Sequence, residues 1–315
     1  MAEHSKIEWT DATWTPIRAR NLNTGKIGWH CEHETTGCEF CYAEGMNRRL
    51  GTGLPFKPGH RKDIEIFLDE NMLLAPLRWK KPRMIFVFSM TDAFASFVKD
   101  EWLDQMFAVM ALCPQHTFQV LTKRAERMSR YTASAFQRLA MSEAPFLHPA
   151  GPTPICKLFD WSCFRLPLPN VWLGASAERQ READERIPHL LATPAATRFV
   201  SAEPLLGPID LIGTLARWQD NPKRQCAVGL GQQLVNWVIV GGESGNNARP
   251  FNLEWADQIV EQCAAAGIAC FVKQLGSLPM SSGYPLELRS RKGGDPDEWP
   301  DRLAVRQMPM LYAAR

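Results

Sequence analysis

The chain has 315 residues, of which 45% are apolar and 22% charged, so it can bury a large core and is neither a disordered tail nor a small disulfide-bonded domain. Its 36 Lys and Arg residues against 34 Asp and Glu residues leave a net charge of +2, which does not require a polyanionic partner. No apolar run has the form of a signal peptide or reaches the about 18 to 20 residues of a membrane-spanning helix, so we expect a cytoplasmic protein with no membrane association.

Short apolar runs recur along the chain, each bounded by turn or polar residues, and several are followed by helical patterning. This alternation predicts βα units around a parallel sheet. Near-continuous apolar segments such as 85–88 are typical of parallel strands that are buried on both faces. We expect a single α/β domain over 1–315 with a (β/α) barrel, partial or nearly closed. In chain order the predicted strands cover residues 13–17, 84–88, 117–121, 171–174, 197–200, 237–240 and 270–272.

Helix signals lie between these strands. Residues 42–50 are predicted to form a helix, and Asp100 is a candidate N-cap for another, whose apolar face includes Leu103. A further apolar stripe over 253–263 ends at Gly267, a typical C-cap residue. These helices are expected to pack against the sheet.

Two regions fall outside the alternation of strands and helices. Residues 144–169 are rich in proline and predict a surface insertion. From residue 276 the sequence predicts a loop-rich C-terminal tail that folds over the barrel.

The nine cysteines are typical of a reduced protein, and six of them are scattered and predicted to be structural. These six are Cys113, Cys156, Cys163, Cys226, Cys263 and Cys270.

The other three cysteines, Cys31, Cys38 and Cys41, fall within eleven residues in the spacing C-x6-C-x2-C. Such a density is improbable for inert packing thiols, so the motif predicts a metal site. Structural zinc normally takes four protein ligands and would have to recruit His30, His33 or a remote cysteine. A [4Fe–4S] cluster held by three cysteines leaves one iron open to another molecule, and we favour this alternative.

Eight segments spread over nearly the whole chain carry a family resemblance: IEWTDATW, GCEFCYAE, VFSMTDAF, FQVLTKRAERM, WLGASAE, RFVSAEPLLGPID, WVIVGGESG and FVKQLG. Together they resemble a phage-associated family of radical S-adenosylmethionine (SAM) proteins, distantly similar to spore photoproduct lyase. Cys38 and Cys41 match the C-x-aromatic-C ending of that superfamily, although six residues separate Cys31 from Cys38 where three are usual. The resemblance implies a [4Fe–4S] cluster, SAM cleavage to a 5′-deoxyadenosyl radical, and an electron donor such as flavodoxin or ferredoxin.

Polar residues follow nearly every predicted strand, at the end that lines the mouth of a parallel barrel. Glu178, Glu203 and Glu243 each follow an apolar strand, and Lys123 and Lys273 take equivalent places. Converging charges are costly unless they pair or bind something, and we favour binding or catalysis over a purely structural network.

The resemblance then suggests roles for these residues. Residues after the second strand are expected to hold the methionine end of SAM, and polar residues after the fourth strand its ribose or carboxylate. The glycines before Glu243 are expected to let the backbone approach adenine. The candidate cofactor-binding residues are Ser89, Thr91, Asp92, Lys123, Ser176 and Glu178, and the candidate catalytic residues are Glu203, Glu243 and Lys273.

Local basic clusters and the resemblance make a nucleic acid or nucleotide the leading substrate class. Trp79, between Arg78 and Lys80, is the one aromatic–basic combination of a kind that can stack on a base. The competing hypothesis is a non-catalytic zinc-binding interaction protein. Its cysteines would staple the loop, and its glutamates would pair with Lys123 and Lys273.

Overall fold

The computed structural model describes residues 4–141, 167–219 and 234–310. The elements of the first part are β1 (Ala12–Trp14), β2 (Ile17–Asn21), β3 (Ile27–Gly28), α1 (Tyr42–Leu50), β4 (Ile64–Leu68), α2 (Glu70–Leu73), β5 (Met84–Val87), α3 (Asp100–Ala111), β6 (Thr117–Thr122) and α4 (Ala125–Met141). The remaining ones are β7 (Val171–Ser176), α5 (Gln180–Ala192), β8 (Thr197–Ala202), α6 (Leu211–Gln219), β9 (Trp237–Gly241), β10 (Phe251–Asn252), α7 (Leu253–Ala266), β11 (Ala269–Gln274), β12 (Pro279–Ser281) and β13 (Tyr284–Pro285).

The central sheet has seven parallel strands in the order β1-β5-β6-β7-β8-β9-β11. Helices α3 to α7 alternate with its later strands, as a (β/α) barrel requires. Because β1 and β11 are both edge strands, the barrel is partial rather than closed. The predicted α/β fold and its seven parallel strands are confirmed to this extent.

The first predicted strand is wrong in its bounds. The chain leaves the central sheet after β1, and β2 joins an antiparallel sheet with β3 and β4. The break falls at Pro16, which has no amide hydrogen to continue a ladder. β2 and β3 therefore stand between the first strand and the cysteine loop, which the sequence had placed next to each other.

The two faces of the sheet pack differently because side chains alternate along each strand. Outward-facing aliphatic residues, such as Val87 and Val238, join the helices in the main core. The inner face instead carries large aromatic rings near the start of the strands. These inner residues are Phe86, Trp172, Phe199, Trp237 and Phe271, joined by Trp9 from the segment before β1. They fill the lower half of the barrel and leave the carboxyl ends of the strands for polar residues.

The helix ends follow the predictions with one exception. Helix α1 begins directly after Cys41, and α7 ends at Gly267, whose φ of 65° is the left-handed conformation that glycine allows. Asp100, however, is the first helical residue of α3, and the N-cap position belongs to Lys99. The Asp100 carboxylate accepts a hydrogen bond from Arg127 Nη2 at 2.9 Å instead of capping its own helix.

The C-terminal tail covers the open edge of the barrel. Strand β12 pairs with β10 and with β13, and the chain then runs beside β11, where the Val272 amide donates to the Val305 carbonyl at 2.8 Å. Most of the predicted 144–169 insertion, with Cys156 and Cys163, lies outside the described residues, as does Cys226. In the described part of the chain, no helix combines the length and the apolar character that crossing a bilayer demands.

Candidate functional site

A cavity of about 440 Å³ opens at the carboxyl ends of the barrel strands. Parallel strands deliver the residues that follow them to this one edge, which is why side chains far apart in the sequence meet here. Of the predicted site residues, Glu178 is the one that lies outside the lining. The others all line the cavity: Cys31, Cys38, Cys41, Ser89, Thr91, Asp92, Lys123, Ser176, Glu203, Glu243 and Lys273.

The three cysteines lie on a loop that ends in helix α1, and all three thiols are half-buried. Burial raises the pKa of the Cys31 thiol, and the nearby Asp92, Cys41 and Cys38 raise it further. Burial also raises the pKa of Cys41, whereas the amides of Glu44 and Ala43 at the start of α1 act in the opposite direction. The thiols are thus electrostatic neighbours in a partly dehydrated pocket.

Several hydrogen bonds attach the cysteine loop to the barrel. Thr91 Oγ1 donates to the His30 carbonyl, and Arg124 Nη2 donates to the Glu32 carbonyl at 2.9 Å. On the other side Thr35 Oγ1 donates to Glu178 Oε1 at 3.0 Å, and Arg249 Nη1 donates to the Thr36 carbonyl at 2.9 Å. The loop is therefore held from strand ends on both sides of the cavity.

Asp92 lies where the sequence predicts, but its carboxylate is already occupied. Oδ1 accepts from Thr122 Oγ1 at 2.6 Å and from the Phe94 amide at 2.8 Å. Oδ2 accepts from the Lys123 amide and from Arg124 Nη1, both at 3.0 Å. With four donors bound, Asp92 organises the turns after β5 and β6 and orients Arg124 toward the cysteine loop.

Glu178 is fully buried beneath the cysteine loop instead of facing the cavity. Its carboxylate binds Lys123 Nζ and lies 3.1 Å from Arg186 Nη1, in addition to the bond from Thr35. Burial by itself would raise the pKa of Glu178, but Lys123 and Arg186 outweigh it and lower the pKa. A Cβ at Gly37 would stand 2.4 Å from Glu178 Oε1, so the loop can approach this carboxylate only with glycine at that position. The expected SAM contact of Glu178 is replaced by a structural one.

Glu243 lies at the cavity and holds an arginine that the sequence did not single out. Its Oε2 accepts from Arg249 Nε at 2.9 Å, and its Oε1 pairs with Arg249 Nη2. The preceding glycine, Gly242, is required by protein packing, because a Cβ there would lie 2.5 Å from the Leu275 carbonyl oxygen. The Gly-Gly-Glu motif therefore serves the packing of β9 against the tail and the support of the cysteine loop.

Glu203, which follows β8, forms an ion pair with Lys273, near the end of β11, and both residues line the cavity. Lys273 Nζ donates to Glu203 Oε1, and each side chain keeps less than a fifth of its surface exposed.

Tyr42, the residue after Cys41, donates from its hydroxyl to the Ser89 carbonyl. Although half of Tyr42 is exposed, burial raises the pKa of this enclosed phenol, and Cys41 and Glu203 raise it further. Glu203 therefore lies within electrostatic reach of the cysteine end of the cavity.

A sequence model for the family described as "Protein of unknown function (DUF5131)" matches residues 4–299. The chain belongs to the DUF5131 family. Searches of the curated proteins and of the solved structures gave no match.

Several residues that build the DUF5131 site were not predicted. Arg124 follows a predicted strand, Arg186 lies inside α5, and Arg249 lies in the loop after β9, and each binds a carboxylate that follows a strand. The N-terminal residues Glu8 and Trp9 also line the cavity. Glu8 and Trp9 belong to the IEWTD segment, which is part of the family resemblance. That segment was the signal that could have identified them, but the sequence analysis gave it no role.

The predicted stacking of Trp79 on a nucleic acid base is wrong. Trp79 is only 7% exposed, and its ring packs against His116 and beneath Arg83, whose guanidinium lies 4.8 Å from the ring centroid. Its basic neighbours Arg78 and Lys80 remain at the surface of this DUF5131 chain. Any base-stacking surface must therefore come from other residues.

The thiols offer a donor set without a preassembled single-ion site. Within residues 4–141, 167–219 and 234–310, no three His, Cys, Asp or Glu side chains are arranged to hold one metal ion. His33 is bound to Glu44 at 2.7 Å and His30 faces Glu32, so neither histidine completes a set with the thiols. The three thiols are thus brought to one cavity, and whether they bind a metal stays a prediction.

Proposed function

We propose that this DUF5131 protein is a radical SAM enzyme of phage-associated type that holds a [4Fe–4S] cluster through Cys31, Cys38 and Cys41. The observation that carries the proposal is that all three thiols line the same cavity as the polar strand ends. A cluster bound there would leave its open iron facing a space of about 440 Å³, within the range of small-molecule sites.

A [4Fe–4S] cluster differs from zinc in what it requires of the three thiols. Zinc–sulfur bonds of about 2.3 Å in a tetrahedral site place the sulfurs about 3.8 Å apart. In a [4Fe–4S] cluster each cysteine bonds to a different iron, so the sulfurs stand farther apart. Three half-buried thiols that face one cavity without closing on one ion fit the second case.

When bound, the cluster and SAM supply reductive cleavage of SAM to a 5′-deoxyadenosyl radical, which removes a hydrogen atom from a substrate. The chain itself contributes positioning. Ser89, Thr91 and Ser176 bring hydroxyl groups to the cysteine side of the cavity, where the polar ends of SAM would lie. Below them, Trp9 and Phe86 exclude water from the lower barrel.

Glu203 and Lys273 are the groups of this chain best placed to handle protons near a substrate. They line the cavity from β8 and β11 and bond to each other, whereas the other strand-end carboxylates are occupied in holding the cysteine loop. Glu243 is also placed at the cavity, and in this proposal it acts through Arg249 on the loop. A nucleic acid or nucleotide substrate, reduction by a donor such as flavodoxin or ferredoxin, and a cytoplasmic location complete the proposal.

The test is iron and sulfide analysis of the full chain after anaerobic reconstitution. We expect brown protein with about four iron atoms per chain that binds SAM by calorimetry. Cys31→Ala, Cys38→Ala and Cys41→Ala should each lose the cluster. Cys113→Ala is the matched control, because Cys113 is fully buried in the main core and its thiol pKa, raised by burial to about 12, keeps it protonated.

Two results would argue against this function. Full iron content in any single variant of the three cysteines would remove that residue from the ligand set. Colourless protein with one tightly bound zinc would favour the interaction-protein alternative, in which the same thiols have a structural role.

A further inference from the structure

The segment before β1 forms part of the cavity wall and has no role in the proposed function so far. Ile7, Glu8 and Trp9 line the cavity. The segment joins both sides of the partial barrel: the Asp11 amide donates to the Met84 carbonyl at 2.9 Å, and Glu8 pairs with Lys292 of the tail. The segment therefore closes the gap between the two edge strands, β1 and β11, and adds its own side chains to the wall of the cavity that also carries Glu203 and Lys273.

Trp9 and Phe86 provide an aromatic floor beneath this wall. Their ring centroids are 4.7 Å apart at an interplanar angle of 57°, and Trp9 is further fixed by Trp237 at 5.9 Å. Both Trp9 and Phe86 line the cavity. The parts of the two rings that line the cavity give its base an apolar aromatic surface, which suits contact with a flat, unsaturated ligand. The Trp9 indole nitrogen is buried without a partner among the described residues, so the floor also carries an unused donor.

Above this floor, the Glu203–Lys273 pair presents an acceptor beside a donor. Lys273 Nζ occupies Glu203 Oε1, and Oε2 has no partner within the described ranges. The ammonium group has three N–H donors and uses one on Glu203. A carboxylate alone would select a cation and an ammonium alone an anion, but the pair is neutral as a unit. It therefore matches a neutral edge that has an N–H beside a C=O.

We infer that this wall binds a lactam-bearing heterocycle, the edge found in uracil, thymine and guanine, as part of a nucleoside or nucleotide. The lactam N–H donates to Glu203 Oε2, its carbonyl oxygen accepts from Lys273 Nζ, and the ring contacts Trp9 and Phe86 at the base of the cavity. The identification of this ligand as the substrate rests on the proposed function.

The test is calorimetric titration of the full chain with uridine, guanosine and 3-methyluridine, with tryptophan fluorescence as a second measurement. Cluster-free and iron-loaded protein are titrated in parallel. We expect uridine and guanosine to bind, and 3-methyluridine, which lacks the lactam N–H, to bind at least about tenfold more weakly because a bond to a charged acceptor is lost. Glu203→Gln should weaken uridine binding about tenfold, whereas Glu65→Gln, a control in a surface pair with Arg20, should leave it unchanged.

Equal binding of uridine and 3-methyluridine would overturn the lactam assignment even if Glu203→Gln failed to fold. Absence of nucleoside binding in iron-loaded protein would also overturn it while leaving the cluster in place. Conversely, uridine binding with the expected discrimination in a protein that takes up no iron would support the site and count against the radical SAM function. The two proposals can therefore fail separately.

Discussion

The carboxylates that follow the barrel strands fall into two groups, although they are the same kind of residue in the same kind of position. Asp92, Glu178 and Glu243 have their oxygens occupied by protein donors, and they help to hold the cysteine loop. Glu203 has one lysine partner and an oxygen without a partner in the described part of the chain. The first group supports a loop, and Glu203 is available to a ligand.

This difference teaches that a carboxylate at a strand end is not by itself a binding group. A loop that carries three thiols has few apolar side chains of its own to pack, so its position depends on hydrogen bonds from the barrel. The nearest charged strand ends supply those bonds. The side chains of Glu203 and Lys273, which bond to each other and not to the loop in the described part of the chain, are left for ligands.

The largest effect is expected from Glu178. Glu178→Gln would leave Lys123 and the almost fully buried Arg186 without their counter-charge, and removing one partner of a buried ion pair costs about 3–5 kcal/mol of unfolding free energy. Urea unfolding of the cluster-free chain measures the loss. Glu65→Gln should cost under about 1 kcal/mol, because both partners of that pair are nearly half exposed. Equal effects of the two changes would contradict the structural role of Glu178.

The same carboxylate should give a pH-dependent stability. Because its pKa in the folded protein is lowered from the ordinary value of 4.5, the contribution of Glu178 is fully present above that value and is lost as the pH falls toward the folded pKa. The gap in unfolding free energy between wild type and Glu178→Gln should therefore be widest near neutral pH and narrow below about 4.5. A gap that widened on acidification would show the opposite sign of the shift.

Asp92→Asn tests whether this residue supports the fold or binds SAM. The amide would lose the charge-assisted bond from Arg124 and set an NH₂ group against the Lys123 amide or Arg124, at a cost of about 1.5–3 kcal/mol. The melting temperature should fall, and Cys31 should react faster with a thiol reagent, because Arg124 holds the Glu32 carbonyl beside that cysteine. Asp184→Asn, in an exposed network with Arg217, is the control and should change neither. Unchanged stability together with lost SAM binding would return Asp92 to the cofactor site.

The smallest effect on stability is expected at Glu203. Glu203→Gln keeps the shape of the side chain and a hydrogen bond to Lys273 at the edge of an open cavity, so the loss should stay within about 1 kcal/mol. Urea unfolding beside Glu178→Gln measures the contrast. A loss of unfolding free energy as large as that of Glu178→Gln would show that Glu203 also has a structural role.

The seven strands could be predicted because parallel strands buried on both faces have a local signature of apolar runs between turn residues. Five of the later strands begin at the predicted residue, and β11 begins one residue earlier. The error at 13–17 also has a local cause, since Pro16 lies inside that run and argues against an uninterrupted strand. The Asp100 cap was missed because capping depends on the backbone conformation of one residue, and here that residue is Lys99.

By itself the sequence determined the strand and helix pattern, the cysteine loop and the edge at which polar residues would gather, because all of these follow from short-range periodicity and from the geometry of parallel strands. Only the tertiary structure decided which charges are occupied. Thr35 and Lys123, two partners of Glu178, lie on other elements far away in the sequence, and no spacing along the chain encodes those pairs. It also placed Trp9 beneath the cavity, because the gap between β1 and β11 exists only in the folded barrel.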